Sequence, residues 1–176
     1  TESLRVDGND YTVSIVDAAN PNVFVRARDL GLDGIELPEE LDDPDLLSRI
    51  ELIRGAACER LGLVSDRHNA ADERAAVPQI AVVSEPQSYE QVSGGRITAD
   101  RIDITARIVT TQTPHHSYAT TGAMCLAAAT RLEGTLPATF ARGPDSTEGP
   151  IDVTIGHPQG TITIGVETAT RDGDPA

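Results

Sequence analysis

The segment Gly122-Ala-Met-Cys-Leu-Ala-Ala-Ala-Thr130 constrains this chain more than any other. It reads as a helix that is small and apolar on every side, and such a helix must be enclosed by protein. Its Ala-rich faces allow neighbouring elements to approach closely. A start near Thr120 or Thr121 and a stop near Gly134 are expected. Any fold for this chain has to wrap something around that helix.

Strand patterns supply the wrapping. Tyr11 to Val16 alternates, and Val23-Phe-Val25 follows after an Asp17-Ala-Ala-Asn20-Pro21 corner, so two strand pieces joined by a tight turn are expected. Ile80 to Val83 is a continuous apolar run ending at Ser84-Glu-Pro86, which predicts a buried strand. Ile102, Ile104, Ala106 and Ile108 alternate with Asp103, Thr105 and Arg107, which predicts a half-buried strand with one wet face. Ile151, Val153 and Ile155, then Ile162, Ile164 and Val166, flank a Gly156-His-Pro-Gln-Gly160 hairpin connection. A second helix is punctuated by Asp43 as cap, Pro44 in the first turn and Gly62 as stop. Its apolar stripe is Leu46, Ile50, Ile53, Ala57 and Leu61, with Arg49, Glu51, Glu59 and Arg60 largely off it. Gly31 to Asp45 reads as a polar, acidic loop, and Ser65 to Val77 as an exposed or partly helical connection. The sum is an α+β domain over residues 1–168, a mainly antiparallel sheet around a central buried helix with a second helix outside. Residues 169–176 form a polar tail expected to fray.

Composition narrows the function. The 176 residues carry 28 acidic against 14 basic side chains, every basic one is Arg, and the formal charge is −14. Phosphate backbones and anionic membrane surfaces need clustered positive charge, so neither nucleic acid nor membrane is an expected partner. A hydrophobic share of 39% is too high for a disordered acidic tail. Surplus carboxylates suit a halophile, whereas Arg in place of Lys also follows from a GC-rich genome, and both explanations stand. Without Lys the chain supplies no Schiff-base chemistry. Cys58 and Cys125 sit in apolar helical patterns and are expected as buried free thiols. No apolar run approaches the ~18 residues of a membrane span, and a cytoplasmic location is expected. The chain starts at Thr1 with its only Met at 124, so a processed or truncated polypeptide is expected.

Chemistry is most plausible at the amino end of the apolar helix, His115-His-Ser-Tyr-Ala-Thr-Thr-Gly122. The first turn of a helix offers unpaired N–H groups and partial positive charge. Hydroxyls at Thr120 and Thr121 and close approach at Gly122 suit a carboxylate or phosphate; a Thr that merely caps the helix fits the same residues. His115 and His116 are adjacent and point apart in extended chain, and with His68 and His157 remote no metal-ligand spacing emerges. Asn20 in the Asn-Pro corner either satisfies a turn or offers its amide to a substrate carboxylate. His157-Pro-Gln-Gly160 reads as a turn or a third candidate.

Several segments in one order carry a resemblance: Val16 to Val25, Arg28 to Leu32, Ile53 to Ala57 with Leu61 to Leu63, Pro78 to Val83, His115 to Gly122, Glu133 to Thr135 and Gly156 to Gly160. Over roughly residues 11–167 the series resembles the carboxy-terminal half of PrpF-type proteins, the 2-methylaconitate cis–trans isomerases. Methylitaconate isomerases and 4-oxalomesaconate tautomerases are similar. The resemblance implies a diaminopimelate-epimerase-like fold, with two halves that each wrap a sheet around a central helix and a site in the cleft between them. Diaminopimelate epimerases carry a Cys where this chain has Ala119, so two-thiol racemisation is disfavoured. The chain departs from the family at Thr110 to Thr113 and at His116.

What the resemblance implies is a 1,3-proton shift in an unsaturated di- or tricarboxylic acid. Its acid/base groups are expected in an amino-terminal half, leaving none of the catalytic residues here. Asn20, His115, Thr120, Thr121 and Gly122 are the expected substrate-binding residues. No cofactor and no metal are expected; the partners are a small polycarboxylate, the amino-terminal half of the same enzyme and, as an open arrangement, a second copy in a homodimer. A non-catalytic acid-binding or accessory protein on the same fold is the alternative.

Overall fold

The computed structural model describes residues 1–143, 149–167, 170–171 and 174–175. Strands β1 (Glu2–Val6), β2 (Asn9–Ala18), β3 (Asn20–Arg26), β4 (Gln79–Ser84), β7 (Ile104–Thr110), β9 (Ile151–His157) and β10 (Gly160–Val166) lie side by side in the order β1-β2-β3-β4-β7-β9-β10. Short β8 (Thr113–Pro114) folds back on β7, and β5 (Tyr89–Glu90) pairs with β6 (Arg96–Ile97) as a separate ribbon. The main pairings are antiparallel except β3–β4 and β7–β9, which are parallel. Parallel neighbours need long crossovers. The first carries α1 (Pro38–Leu41), α2 (Pro44–Arg60) and α3 (Ala70–Glu73); the second carries α4 (Thr120–Ala129) and α5 (Leu136–Phe140).

The two crossovers cover opposite faces of the sheet. On one side Val23, Val25, Ile80 and Val82 pack with Ile50 and Ile53 of α2. On the other, Phe24, Ala81, Ile104 and Ile155 pack with Cys125, Leu126 and Ala129 of α4. Helix α4 touches β2 and β3 near one end of the strand order and β9 and β10 at the other, so the sheet bends around it. The expected enclosure is therefore present but incomplete. Met124 is 45% exposed, and Thr120 and Thr121 also face solvent.

Helix α2 follows its punctuation, with the Leu46 amide donating to Asp43 Oδ1 at 2.8 Å and Gly62 at φ 70°. Leu61 leaves the predicted stripe, being 46% exposed past the last turn. Arg54 joins the buried face instead: its guanidinium donates to both Glu51 carboxylate oxygens at 2.8 and 2.6 Å and to Arg74 O at 2.7 Å.

Three other expectations change. The predicted wet face of β7 is dry, because Thr105 and Arg107 are both fully buried. Residues of β5, β6 and the Glu36 segment cover that face, and Arg107 finds backbone carbonyls at Glu36 (2.7 Å) and Ala106 (2.9 Å) and the ring of Tyr89 at 4.8 Å. Asn20 and Pro21 are not a loop but the first residues of β3; the chain reverses at Ala19 alone, φ 67°. The acidic stretch before α2 contains α1, with Leu41 in the core. Strand β1 was not expected. Of the polar tail, residues 170–171 pair with 174–175, and the rest of the fraying expectation lies outside the described residues. No helix among the described residues is long and apolar enough to cross a membrane.

Candidate functional site

The first turn of α4 has no side-chain cap. Its N-cap residue is Ala119, in extended conformation at φ −61° and ψ 129°, so neither Thr acts as the cap. The Ala123 amide makes the first intrahelical bond, to Ala119 O at 2.8 Å. The amides of Thr120, Thr121 and Gly122 precede it, which leaves three N–H groups and the positive end of the helix dipole for something else.

Gly122 belongs there for a packing reason. A Cβ at that position would stand 2.8 Å from Gln79 Oε1, 2.9 Å from Ile108 Cδ1 and 3.4 Å from Tyr118 Cε1. Only a bare α-carbon lets the helix start settle on β4 and β7. Asn22 lies opposite Gln79 in the parallel β3–β4 register. Side chains two apart share a face, and Phe24 of this series packs with α4. Asn20 and Asn22 therefore sit on the helix side, Asn20 one position further toward the strand end. The Asn22 side chain donates to Asn20 O at 2.9 Å.

His115 is exposed, but its backbone amide donates to Ile108 O at 3.0 Å. Ile108 is the residue beneath Gly122, so the His115 backbone is pinned close to the helix start. A shallow depression of about 350 Å³ is lined by Thr110, Thr111, Thr113, Pro114, His115 and His116. The structure thus brings Asn20, His115, Thr120, Thr121 and Gly122, nominated from the sequence, to one end of the fold. His157 stands elsewhere: it is 7% exposed, its carbonyl accepts from the Tyr89 hydroxyl at 2.9 Å, and burial with Arg107 nearby lowers its pKa.

Three site-side residues escaped the pattern reading. Asn22 Oδ1, Gln79 Oε1 and the Tyr118 hydroxyl are buried polar atoms with no hydrogen-bond partner. Burial raises the Tyr118 pKa, which keeps its proton in place. Cys125, one turn into the helix, donates to Val16 O at 3.3 Å; burial raises its pKa, opposed by the Ala18 backbone and the Asn22 side chain. Cys58 is likewise buried, free and raised by burial. Neither thiol is a ready thiolate. Among the described residues no three His, Cys, Asp or Glu side chains come together to hold a metal. A cleft of about 460 Å³ beside Thr130, Arg131 and Asp152 opens at the other end of α4 and is remote from this chemistry.

The sequence profile of the PrpF protein family matches residues 1–175. The chain belongs to the PrpF family. A curated relative, the 3-methylitaconate isomerase of Eubacterium barkeri, is 36% identical over 165 residues, which is 92% of this chain and 42% of the relative. The 2-methyl-aconitate isomerase of Shewanella oneidensis is 32% identical over 173 residues, 97% of this chain and 42% of the relative. A crystal structure of methylitaconate-delta-isomerase superposes with a TM-score of 0.89 at 34% identity, covering 99% of this chain and 44% of that one. The sheet-around-helix architecture is the diaminopimelate-epimerase-like fold of this PrpF protein. The chain spans less than half the length of the curated relatives it matches.

Proposed function

We propose that this chain is the carboxylate-binding half of a PrpF-family isomerase that moves a proton across an unsaturated unit in a methylitaconate- or methylaconitate-type acid. The observation that carries the reading is the uncapped first turn of α4. Removing a proton beside an alkene creates an extended anion whose charge spreads onto the adjoining carboxylate. Fixed N–H donors aimed at that carboxylate stabilise the anion more than the ground state. The amides of Thr120, Thr121 and Gly122 and the Thr120 hydroxyl hold one carboxylate. Asn20 and His115 stand where they can hold another.

The acid/base belongs to an amino-terminal half of the same enzyme. This chain has no Lys, and its two thiols are buried and held in the protonated form by that burial. Residues 1–176 alone should bind a polycarboxylate weakly and not isomerise it. The check is the ultraviolet absorbance of the conjugated product, with 3-methylitaconate and 2-methylaconitate as substrates. Turnover by the chain alone would overturn the division of labour.

A further inference from the structure

We propose that Gln79 is a substrate contact, the floor of the carboxylate site, and that its carboxamide donates from Nε2 to the carboxylate held by the first turn of α4. The inference rests on the reading above of that turn as the carboxylate site. Nothing in the pattern of β4 singles out this position, since Gln79 is the strand's first residue and is followed by a continuous apolar run.

The geometry supplies the argument. Gln79 Oε1 lies 2.8 Å from where a Gly122 Cβ would stand, directly against the turn whose three amides are open. That oxygen is fully buried and has no partner, whereas the residue as a whole is only half-buried. Beside it, Asn22 is 0% exposed and Tyr118 4%, and each also keeps an unpartnered polar atom. Asn22 stands opposite Gln79 in the strand register, and Tyr118 Cε1 lies 3.4 Å from the same built Cβ. Buried polar atoms without partners are rare and call for a physical reason. Three of them around one helix start, on residues of three separate segments, indicate a site that completes its hydrogen bonds with a ligand.

A carboxamide suits the floor of such a site better than a carboxylate or an aliphatic group. Its two ends have nearly the same shape, so a half-turn of χ3 exchanges acceptor for donor with no movement of the backbone. With Oε1 inward, as here, it is a buried acceptor without a partner; with Nε2 inward it donates to an anion held by the helix amides. Glu at the same place would present only acceptors and a second negative charge, and Leu would present neither.

The test uses the 176-residue chain, nitrogen-15 labelled and titrated with trans-aconitate as an unsaturated tricarboxylate probe. The expected result is that the backbone amides of Thr121 and Gly122 and the side-chain NH₂ of Gln79 shift together along one binding curve. Gln79→Glu should remove the binding, and Gln79→Leu should weaken it about tenfold or more, the loss of one hydrogen bond to a charged group. Retained dispersion of the α4 and β3 signals shows that each variant still folds. Shifts at Thr121 and Gly122 with a silent Gln79 side chain, or unchanged affinity in Gln79→Glu, overturn the role of Gln79 and leave the helix-end site standing. No shift at Thr121 or Gly122 overturns the site and this inference with it.

Discussion

Placing an acid at Ala119 tests the helix-end reading in both directions at once. Ala119 already has the extended dihedrals of an N-cap residue but no side-chain oxygen to use there. In Ala119→Asp the new carboxylate can accept from the amides of Thr121 or Gly122, as N-cap acids do. Replacing Ala by a capping residue is worth about 1 kcal/mol, and negative charge at a helix start adds a few tenths more. A gain of about 1–2 kcal/mol in a chain of this size raises Tm by about 2–8 °C. The same carboxylate takes the donors proposed to hold substrate and repels an anion brought there. Two unit charges about 4 Å apart at an effective dielectric near 20 cost about 4 kcal/mol, roughly a thousandfold in Kd. Ala119→Ser separates the two effects, giving the cap without the charge. Thermal unfolding by circular dichroism reads the first effect and trans-aconitate titration the second. An Asp variant that is no more stable than the parent refutes the open helix end; one that is more stable yet binds equally well refutes the location of the site.

The close approaches in the fold predict an opposite sign for another helix substitution. Gly55→Ala in α2 would gain about 1 kcal/mol of helix propensity, but its Cβ would collide with the Arg67 backbone carbonyl. Arg67 is anchored by its ion pair with Glu59 and a 3.0 Å bond to Arg5 O. Overpacking of this kind costs about 1–3 kcal/mol, so urea unfolding should show a net loss of stability, and a gain would contradict the packing. His157 predicts an acid-side weakness, since its folded pKa lies below the ordinary 6.5 through burial and Arg107. The unfolded chain then binds the proton first as pH falls, so stability is full above about 6.5 and declines as pH drops through the lower folded value. Tm measured against pH for the parent and His157→Gln should diverge over that window, and parallel curves would remove His157 as the cause.

Some of this architecture was legible because local chemistry and tertiary context agree. Asp43, Pro44 and Gly62 bracket α2 by backbone needs that no neighbour alters. The turn between β9 and β10 follows from Pro158 and Gln159 flanked by alternating Ile and Val. Strand β7 was misread for the converse reason. Alternating Asp103, Thr105 and Arg107 look like a solvent face, and only the ribbon carrying Tyr89 and the segment carrying Glu36 dry that face. Arg107 consequently keeps its charge against carbonyls and an aromatic ring, with burial depressing its pKa to about 10. Asn22 and Gln79 gave no signal in the sequence, because a polar side chain on a strand is ordinary until a helix start is set on top of it, and Tyr118 reads there only as part of the approach to α4. Of the nominated residues, His115 and Thr120 to Gly122 come from a helix start with its own sequence signature and Asn20 from the separate Asn-Pro corner, and it is the fold that brings the two segments to one end of the sheet.

The proposed binding of a polycarboxylate by a chain of net charge −14 should also answer to salt in an unusual way. An Arg-lined anion site loses affinity as salt rises, since its attraction is long-ranged and screened. The residues gathered at the helix end include no Arg, and Arg54, Arg60, Arg67 and Arg96 are committed to Glu51, Glu2, Glu59 and Glu90. Attraction there comes from backbone N–H groups within hydrogen-bond distance, a field that falls off within one turn. The repulsion comes from carboxylates spread over the whole surface. Between about 0.01 M and 0.1 M salt the Debye length shrinks from about 30 Å to about 10 Å, which removes most of that distant repulsion and little of the local attraction. Affinity for trans-aconitate should therefore hold or improve across that range at constant pH. A steep fall with salt would mean that Arg side chains, and not the start of α4, hold the substrate.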